Sequence, residues 1–294
     1  INRAVLAWLL LGLIWGTNFV FLKWSTDAVT PMQVVLVRVI AGFLTVAAYA
    51  LITRQLRLSD LKHSLHFVAM ACLAAALYFY GFAQGTALLQ SGLAGAVSAS
   101  IPLFSLLAAV LFLPEERLTT NRVLGLLVGL IGVTLIAKPF SGGIGDSYLL
   151  GVLWMVFGSF SLGVSFVYAR KFVTPLDLPP AALTTYQLGF ATVILLAVTD
   201  KSGLGTLYDD PTSFAVLVFG LGFLGTGLAY VLYYYVISKL GAVRASALTY
   251  VPPVVALFLG ALFLGEVIVV WDYVATVLIF AGVILVNKRP KSQS

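Results

Sequence analysis

Arg38 is the charged residue that lies inside a long apolar stretch, six positions into the run Gln33–Ile52. A cation inside lipid is costly and usually functional. One interpretation is contact with a substrate carboxylate in a cavity that opens outward. The other is a structural arginine that reaches the membrane interface or bonds the carbonyls of a helix end. The sequence alone leaves both interpretations open.

Glu115 and Glu266 each follow the end of an apolar run, in the matching motifs Phe112-Leu113-Pro114-Glu115 and Phe263-Leu264-Gly265-Glu266. A gating or proton-binding role is one hypothesis for the pair. The alternative is a loop carboxylate that pairs with a neighbour such as Arg117 or lies at the N-terminus of the next helix. We expect no other Asp or Glu to be buried, so a buried carboxylate proton relay has no candidate.

Aromatic, hydroxyl, amide and proline residues recur at helical spacing within the apolar runs. Proline frees a backbone carbonyl, which lipid tolerates only where protein or a water-filled cavity satisfies it. With Arg38, the residues predicted to line a cavity are Trp15, Asn18, Tyr78, Phe82, Ser98, Pro102, Trp154, Phe157, Ser161, Tyr230, Tyr234, Thr249, Tyr250 and Pro253. The alternative for any single aromatic residue is a lipid-facing or interfacial position. Such a cavity suits an amphiphilic, mostly neutral or zwitterionic solute.

Catalytic and metal-binding motifs are missing from the sequence. It contains no His-Glu-x-x-His, no phosphate-binding loop and no Gly-x-Ser-x-Gly turn. Cys72 is the only cysteine, and His63 and His66 lie in or beside a predicted loop. We therefore predict no cofactor, no metal site and no enzymatic activity, with an intramembrane enzyme as a distant alternative. A channel is disfavoured because no charged ring or carbonyl filter motif occurs.

The composition is that of a membrane protein. Of 294 residues, 61% are hydrophobic and 10% are charged, against about 25% charged in soluble domains. The mean hydropathy is +1.06. The net charge of +6 comes from scattered Lys and Arg rather than from a basic face, so we predict the lipid bilayer as partner and no nucleic acid.

Apolar runs of about 20 residues predict ten transmembrane helices. Their predicted spans are Ala4–Leu22, Gln33–Ile52, Ser64–Ala83, Leu93–Leu113, Arg122–Ala137, Tyr148–Ala169, Ala181–Thr199, Ser213–Tyr235, Val243–Leu264 and Trp271–Asn287. With both termini in the cytoplasm, 13 Lys and Arg fall on the inner side and 3 on the outer side, as the positive-inside rule requires. Glycines spaced four apart, as in Gly81-x-x-x-Gly85 and Gly125-x-x-x-Gly129, predict close helix packing.

The two halves of the chain repeat each other. The Phe-Leu-x-Glu motif recurs at an offset of 151, and the same offset aligns Pro102 with Pro253. Each half has five predicted helices, an odd number, so the second copy must be inverted relative to the first. We place the repeats at residues 1–140 and 147–290. Inverted repeats are typical of transporters, with a binding site near the midplane between the halves.

These features resemble the EamA type of the drug/metabolite transporter superfamily across nearly the whole chain. Trp15-Gly16-Thr17-Asn18, Arg38, the paired prolines and the Phe-Leu-x-Glu motifs carry the resemblance. It implies an alternating-access transporter in a bacterial inner membrane. The aromatic-rich composition is similar to that of YddG-type exporters of aromatic or neutral amino acids. The alternative within the superfamily is a nucleotide-sugar or organophosphate exchanger, disfavoured by the shortage of buried basic residues.

The first helix departs from the small four-helix multidrug relatives, which carry a proton-coupling glutamate there, because it has no acidic residue. Together with the missing proton relay, this predicts transport down the solute's own gradient with at most weak proton dependence. We expect a monomer or weak dimer that handles an amino acid or another amphiphilic metabolite.

Overall fold

The computed structural model describes the backbone of residues 3–113, 119–136 and 145–287, and their side chains except those of 145–146, 242–247 and 249. Ten apolar helices follow one another within these ranges. They are α1 (Arg3–Ala28), α2 (Pro31–Ile52), α3 (Leu58–Leu88), α4 (Ser91–Phe112), α5 (Thr120–Ile136), α6 (Ser147–Leu176), α7 (Pro180–Val198), α8 (Pro211–Gly241), α9 (Val251–Leu264) and α10 (Val270–Asn287). Eight are long and apolar enough to cross a membrane, and α5 and α9 are shorter. The prediction of an all-helical fold is confirmed over the described residues, which contain ten apolar helices, eight of them long enough to span a membrane.

Local sequence explains where individual helices begin. At the start of α2, Thr30 accepts a hydrogen bond from the Gln33 amide while the Gln33 side chain accepts from the Thr30 amide, and Pro31 follows the cap. This reciprocal arrangement is a capping box. At the start of α8, Asp210 accepts hydrogen bonds from the amides of Thr212 and Ser213. Hydrogen bonds from Ser213 hold the pKa of the Asp210 carboxyl below its ordinary value, which favours the charged form that caps the helix.

A break precedes a proline in the fourth helix of each repeat. The α4 helix consists of the segments Ser91–Ser98 and Ile101–Phe112, and α9 begins after the short 3-10 turn Ala247–Tyr250. Pro102 and Pro253 lie in the first turn after each break, where a missing N–H costs no helical hydrogen bond. The regular part of the ninth helix therefore starts later than the predicted Val243.

Helix packing follows the repeat. Helix α1 packs against α9 and α8, and its counterpart α6 packs against α4 and α3. Helix α2 packs against α8, as α7 packs against α3. The pairs α2–α7, α4–α9 and α5–α10 each map onto themselves when the repeats are exchanged. The core therefore lies between the repeats, and each half completes the packing of the other.

Glycines let two of these pairs meet backbone to backbone. A β-carbon built on Gly125 of α5 would lie 2.6 Å from the Gly282 carbonyl oxygen of α10. One built on Gly81 of α3 would lie 2.8 Å from the Trp154 carbonyl oxygen of α6. These approaches are too close for any side chain, so the glycine spacing acts here as the sequence predicts.

At each end of the helix bundle, hydrogen bonds link a connection between helices to another part of the chain. At one end, Gln33 Nε2 donates to the carbonyls of Asp200 and Ser202, at 2.9 Å each. At the other, the Tyr186 hydroxyl donates to the Arg57 carbonyl at 2.7 Å. The ten-helix topology predicts that the α1–α2 and α7–α8 connections lie on the same side of the membrane, and the structure brings these connections together. That the end with Arg57 faces the cytoplasm remains a prediction from the distribution of basic residues.

Candidate functional site

Arg38 lies at the contact between the two repeats, and its side chain is only 7% exposed. Its Nε donates to Thr226 Oγ1 of α8 at 2.9 Å. Its Cζ lies 4.0 Å from the centre of the Phe79 ring of α3, a cation–π contact. Within the part of the chain that the structure describes, no carboxylate forms an ion pair with this arginine. The arginine side chain is therefore buried as a cation without an anion beside it.

The local structure of α8 explains why Thr226 accepts this hydrogen bond. Residues Val216–Leu228 form a π-helical stretch, and such stretches are frequent at functional sites. Within it, Thr226 Oγ1 donates its own hydrogen to the Leu221 carbonyl at 2.9 Å, which leaves the hydroxyl lone pairs for Arg38. Gly42 of α2 permits the approach, because a β-carbon there would lie 2.6 Å from Thr226 Cγ2.

Two tyrosines complete this group, which we call the arginine cluster: Arg38, Thr226, Phe79, Tyr78 and Tyr230. The phenol groups of Tyr78 and Tyr230 lie within electrostatic range of the guanidinium. Neither hydroxyl hydrogen-bonds to a residue that the structure describes. The cluster thus presents a cation and two phenols with unused hydrogen-bonding capacity.

Aromatic side chains surround the cluster. The Tyr78 ring lies 4.6 Å from that of Phe82, and Tyr230 stacks on Tyr234 with ring centres 6.2 Å apart. The Tyr234 hydroxyl bonds the Thr184 hydroxyl of α7. Of the residues predicted from sequence, the structure therefore brings Arg38, Tyr78, Phe82, Tyr230 and Tyr234 together.

Trp15 and Asn18 approach the same region from α1. Trp15 packs on Tyr233 of α8, with ring centres 5.5 Å apart. Asn18 is 8% exposed, and its Nδ2 donates to the Gly225 carbonyl at 3.2 Å. Its Oδ1 is buried without a hydrogen-bond partner among the described residues, at a place where a β-carbon on Gly225 would clash with it. Asn18 thus anchors α1 to the residue next to Thr226.

Trp154 and Phe157 belong to a separate aromatic group on α6. Trp154 lies 5.4 Å from the Tyr80 ring and 5.9 Å from Phe157, which is 39% exposed. Tyr80 and Tyr78 are two residues apart and therefore point to different sides of α3. The structure does not bring Trp154 into contact with the arginine cluster. Ser161, also on α6, donates to the Leu73 carbonyl at 2.7 Å, inside the π-helical turn Cys72–Ala76.

The residues predicted around the two prolines bond within or between their own helices. Ser98 Oγ donates to the Gly95 carbonyl at 2.6 Å, one turn back in α4. Pro253 is buried where α9 crosses α4, with its α-carbon 3.6 Å from a β-carbon built on Gly95. The Tyr250 hydroxyl accepts from Asn287 of α10 at 3.3 Å. Pro102 is partly buried, and the Thr249 side chain lies outside the described residues.

Glu266 is held at the N-terminus of α4, in the other repeat. Its Oε1 accepts from the Ser91 amide at 2.5 Å and its Oε2 from the Gly92 amide at 3.0 Å. Gly265, with φ +62°, ends α9 and turns the chain back toward α4. A helix N-terminus attracts an anion, so the carboxylate caps α4. Glu115, the equivalent residue, lies outside the described residues.

Sequence reasoning missed the partners of the predicted residues. Thr226 and Thr184 hold Arg38 and Tyr234, and Phe79 lies under the guanidinium. Thr226 is one turn before Tyr230 on the same helix, which is the one signal that could have indicated it. Phe79 has no such signal beyond its place next to Tyr78. Among the residues described, no three His, Cys, Asp or Glu side chains are grouped as a metal site.

The sequence matches the model of the EamA-like transporter family over residues 2–138 and 149–288. The chain belongs to this family. Its EamA-like relatives include the "Uncharacterized transporter YdfC" of Bacillus subtilis (strain 168), 28% identical over 96% of this chain and 91% of that protein. The "Uncharacterized inner membrane transporter YedA" of Escherichia coli (strain K12) is 26% identical over 94% of this chain and 87% of its own.

A plant relative and a solved structure extend this likeness. The "WAT1-related protein At3g02690, chloroplastic" of Arabidopsis thaliana is 27% identical over 93% of this chain and 66% of its own length. One crystal structure superposes with a TM-score of 0.60 over 97% of both chains, at 24% identity. At that identity the likeness shows the fold alone. The family establishes a membrane transporter.

Proposed function

We propose that this EamA-like protein exports amino acids, chiefly aromatic and neutral ones, and similar amphiphilic metabolites by alternating access. We also propose that it does so from the bacterial cytoplasm across the inner membrane, with both termini inside and with residues 1–140 and 147–290 as the two inverted repeats. One observation carries the proposal. The arginine cluster combines α2 and α3 of one repeat with α8 of the other.

That position suits an alternating-access carrier. When two inverted repeats rock against each other, a site built from both repeats faces one side of the membrane and then the other. The Arg38–Thr226 hydrogen bond and the Asn18–Gly225 hydrogen bond both join first-repeat helices to adjacent residues of α8. A solute bound there contacts both halves in each state.

The chemistry of the cluster supports an amphiphilic solute with a single anionic group. One guanidinium, two phenols and aromatic walls provide few charges and much apolar surface. An organophosphate or a nucleotide sugar carries more negative charge and would require further cations. The described residues of the cluster supply no second cation and no nucleophile paired with a base, so we propose neither that exchange reaction nor an enzymatic one.

The test is counterflow of labelled L-phenylalanine into proteoliposomes that contain the purified protein. We expect transient accumulation of label above the equilibrium level when unlabelled L-phenylalanine is trapped inside, uptake only to equilibrium without it, and none in liposomes that lack the protein. The double variant Tyr78→Phe, Tyr230→Phe removes the two free hydroxyls and should slow uptake. Its control is Tyr208→Phe, which removes a hydroxyl from an exposed connection. Exchange of no amino acid by the folded protein would contradict the proposal.

A further inference from the structure

The arginine cluster leaves most hydrogen-bond donors of its cation unused. A guanidinium carries five N–H donors. Thr226 accepts the one on Nε, and none of the residues that the structure describes accepts from either Nη nitrogen. Phe79 covers one face of the group, which offsets only part of the cost of burying a charge. A cation that is 7% exposed and lacks an anion is suited to a ligand that brings one.

The two phenols extend this donor set. Tyr234, one turn from Tyr230, has its hydroxyl bonded to Thr184, whereas the Tyr78 and Tyr230 hydroxyls have no such partner among the described side chains. Both of them lie in the electrostatic neighbourhood of Arg38. A planar guanidinium edge matches the two oxygens of a carboxylate, and phenol O–H groups donate to the same oxygens. Guanidinium and phenol donors are thus the groups that a carboxylate requires.

The cluster, as far as the structure describes it, offers no anionic group for an ammonium. The acidic side chains that the structure describes lie at helix ends or in connections, as do Asp27, Asp60 and Glu266. Asn18 Oδ1 is the nearby amide oxygen, but it is sealed against Gly225. An amino group in the cluster would lie beside a like charge, whose repulsion aromatic faces offset only in part.

We infer that the arginine cluster recognises the carboxylate of its solute and not the amino group, so that aromatic carboxylates without an amino group are also bound and exchanged. This inference rests on the proposed function and narrows its substrate class. Arg38 is the specificity-determining residue. The carboxylate is the group that the solute must have.

Competition during counterflow of labelled L-phenylalanine tests the inference. The competitors are hydrocinnamate, which lacks the amino group, L-phenylalaninamide, which lacks the carboxylate charge, and phenethylamine, which lacks the carboxylate. We expect hydrocinnamate to compete about as well as unlabelled L-phenylalanine. The other two should be weaker by roughly tenfold to a hundredfold, the effect of losing a charged hydrogen-bond pair. Equal competition by phenylalaninamide and hydrocinnamate would overturn the inference and leave transport intact.

Substitutions test whether Arg38 causes the preference for a carboxylate. Arg38→Gln should abolish the difference between hydrocinnamate and phenylalaninamide, and Arg54→Gln, which removes an exposed cation from the α2–α3 connection, should preserve it. Should Arg38→Gln fail to fold, Thr226→Val and Tyr230→Phe keep the charge and should each reduce the difference severalfold. A difference that survives in all three variants places carboxylate recognition elsewhere and overturns the assignment.

A binding measurement separates this inference from the proposed function. In detergent, hydrocinnamate should raise the thermal unfolding temperature of the wild-type protein, whereas phenethylamine at the same concentration should not. Stabilisation by hydrocinnamate without any amino acid exchange would support carboxylate recognition and refute amino acid export. Exchange of L-phenylalanine with equal stabilisation by both compounds would support amino acid export and refute carboxylate recognition.

Discussion

Two charged side chains of this EamA-like transporter meet opposite conditions. Arg38 lies between the repeats with a hydroxyl and an aromatic ring as partners, and its Nη nitrogens bond no described residue. Glu266 lies at one end of the bundle with both carboxylate oxygens bonded to backbone amides at the start of α4. Each charge links the two repeats. Arg38 retains unpaired hydrogen-bond donors among the described residues, whereas both oxygens of Glu266 accept hydrogen bonds.

This difference separates a binding group from a closing contact. A buried charge with unused donors lowers stability until a ligand arrives, whereas a carboxylate seated on a helix N-terminus raises stability by itself. Glu266 also joins the α9–α10 connection to α4, where Gln90 Nε2 donates to the Val267 carbonyl at 3.3 Å. The pair should therefore respond to substitution in opposite directions.

The largest contrast should come from Arg38→Met. Replacing an unpaired buried cation by an apolar side chain of similar length should raise the free energy of unfolding by about 1–3 kcal/mol in the absence of solute. L-phenylalanine exchange should fall at least about tenfold, because the charged hydrogen bonds to the solute are lost. Thermal unfolding in detergent and counterflow measure the two effects, with Arg54→Met as control. Lower stability with intact exchange would make Arg38 a structural residue.

Glu266→Gln should act in the opposite sense. Glutamine keeps one acceptor oxygen and turns an amide toward the α4 N–H groups, so we expect a loss of about 0.5–2 kcal/mol in the free energy of unfolding. Exchange should change less than in Arg38→Met. Asp27→Asn, which neutralises an exposed carboxylate at the same end, is the matched control. Unchanged stability in Glu266→Gln would show that the α4 cap contributes nothing.

The two tryptophans sharpen the boundary of the site. The sequence predicts that both Trp15 and Trp154 line the cavity, and the structure places Trp15 on Tyr233 but Trp154 on Tyr80. Trp15→Ala removes the contact with Tyr233. It should raise the KM for L-phenylalanine about twofold to tenfold, in line with the energy of one aromatic pair. Trp154→Ala should change it less. Equal effects at equal membrane levels would extend the site to α6.

The smallest effect should be that of an imposed pH gradient. A proton-coupled carrier needs a buried group that binds and releases a proton between states. Two of the described acidic side chains are buried, although the sequence predicts none beyond the Phe-Leu-x-Glu pair: Asp60 is 8% exposed and Asp272 is 1% exposed. Both lie in the first turn of a helical segment, where Asp272 Oδ2 accepts from the Val269 amide. Because both lie at helix starts and not in the arginine cluster, net uptake should change by less than about twofold in proteoliposomes. Proton-driven accumulation that disappears in Glu266→Gln would assign that residue to the mechanism.

The number of helices, the repeat and the packing glycines were predictable because they depend on local composition and periodicity. Apolar runs reveal spans directly, and Gly125 lies at a backbone contact as its spacing indicates. The start of the ninth helix was less predictable, since a 3-10 turn, Ala247–Tyr250, replaces the regular helix before Pro252 and Pro253. The offset of 147 that aligns Gly42-Phe43 with Gly189-Phe190 aligns Arg38 with Thr185, which donates to its own helix at the Ala181 carbonyl at 2.7 Å.

The sequence by itself therefore determined that the chain lies in a lipid bilayer, how many apolar helices it forms and that these helices form two repeats. Only the tertiary structure decided that Arg38 meets Thr226 and Phe79, and that Glu266 caps a helix of the other repeat. Such contacts join residues far apart in the chain, across helices whose rotation no short sequence pattern specifies. Side-chain partners are set by that rotation, because residues a quarter-turn apart on one helix face different neighbours.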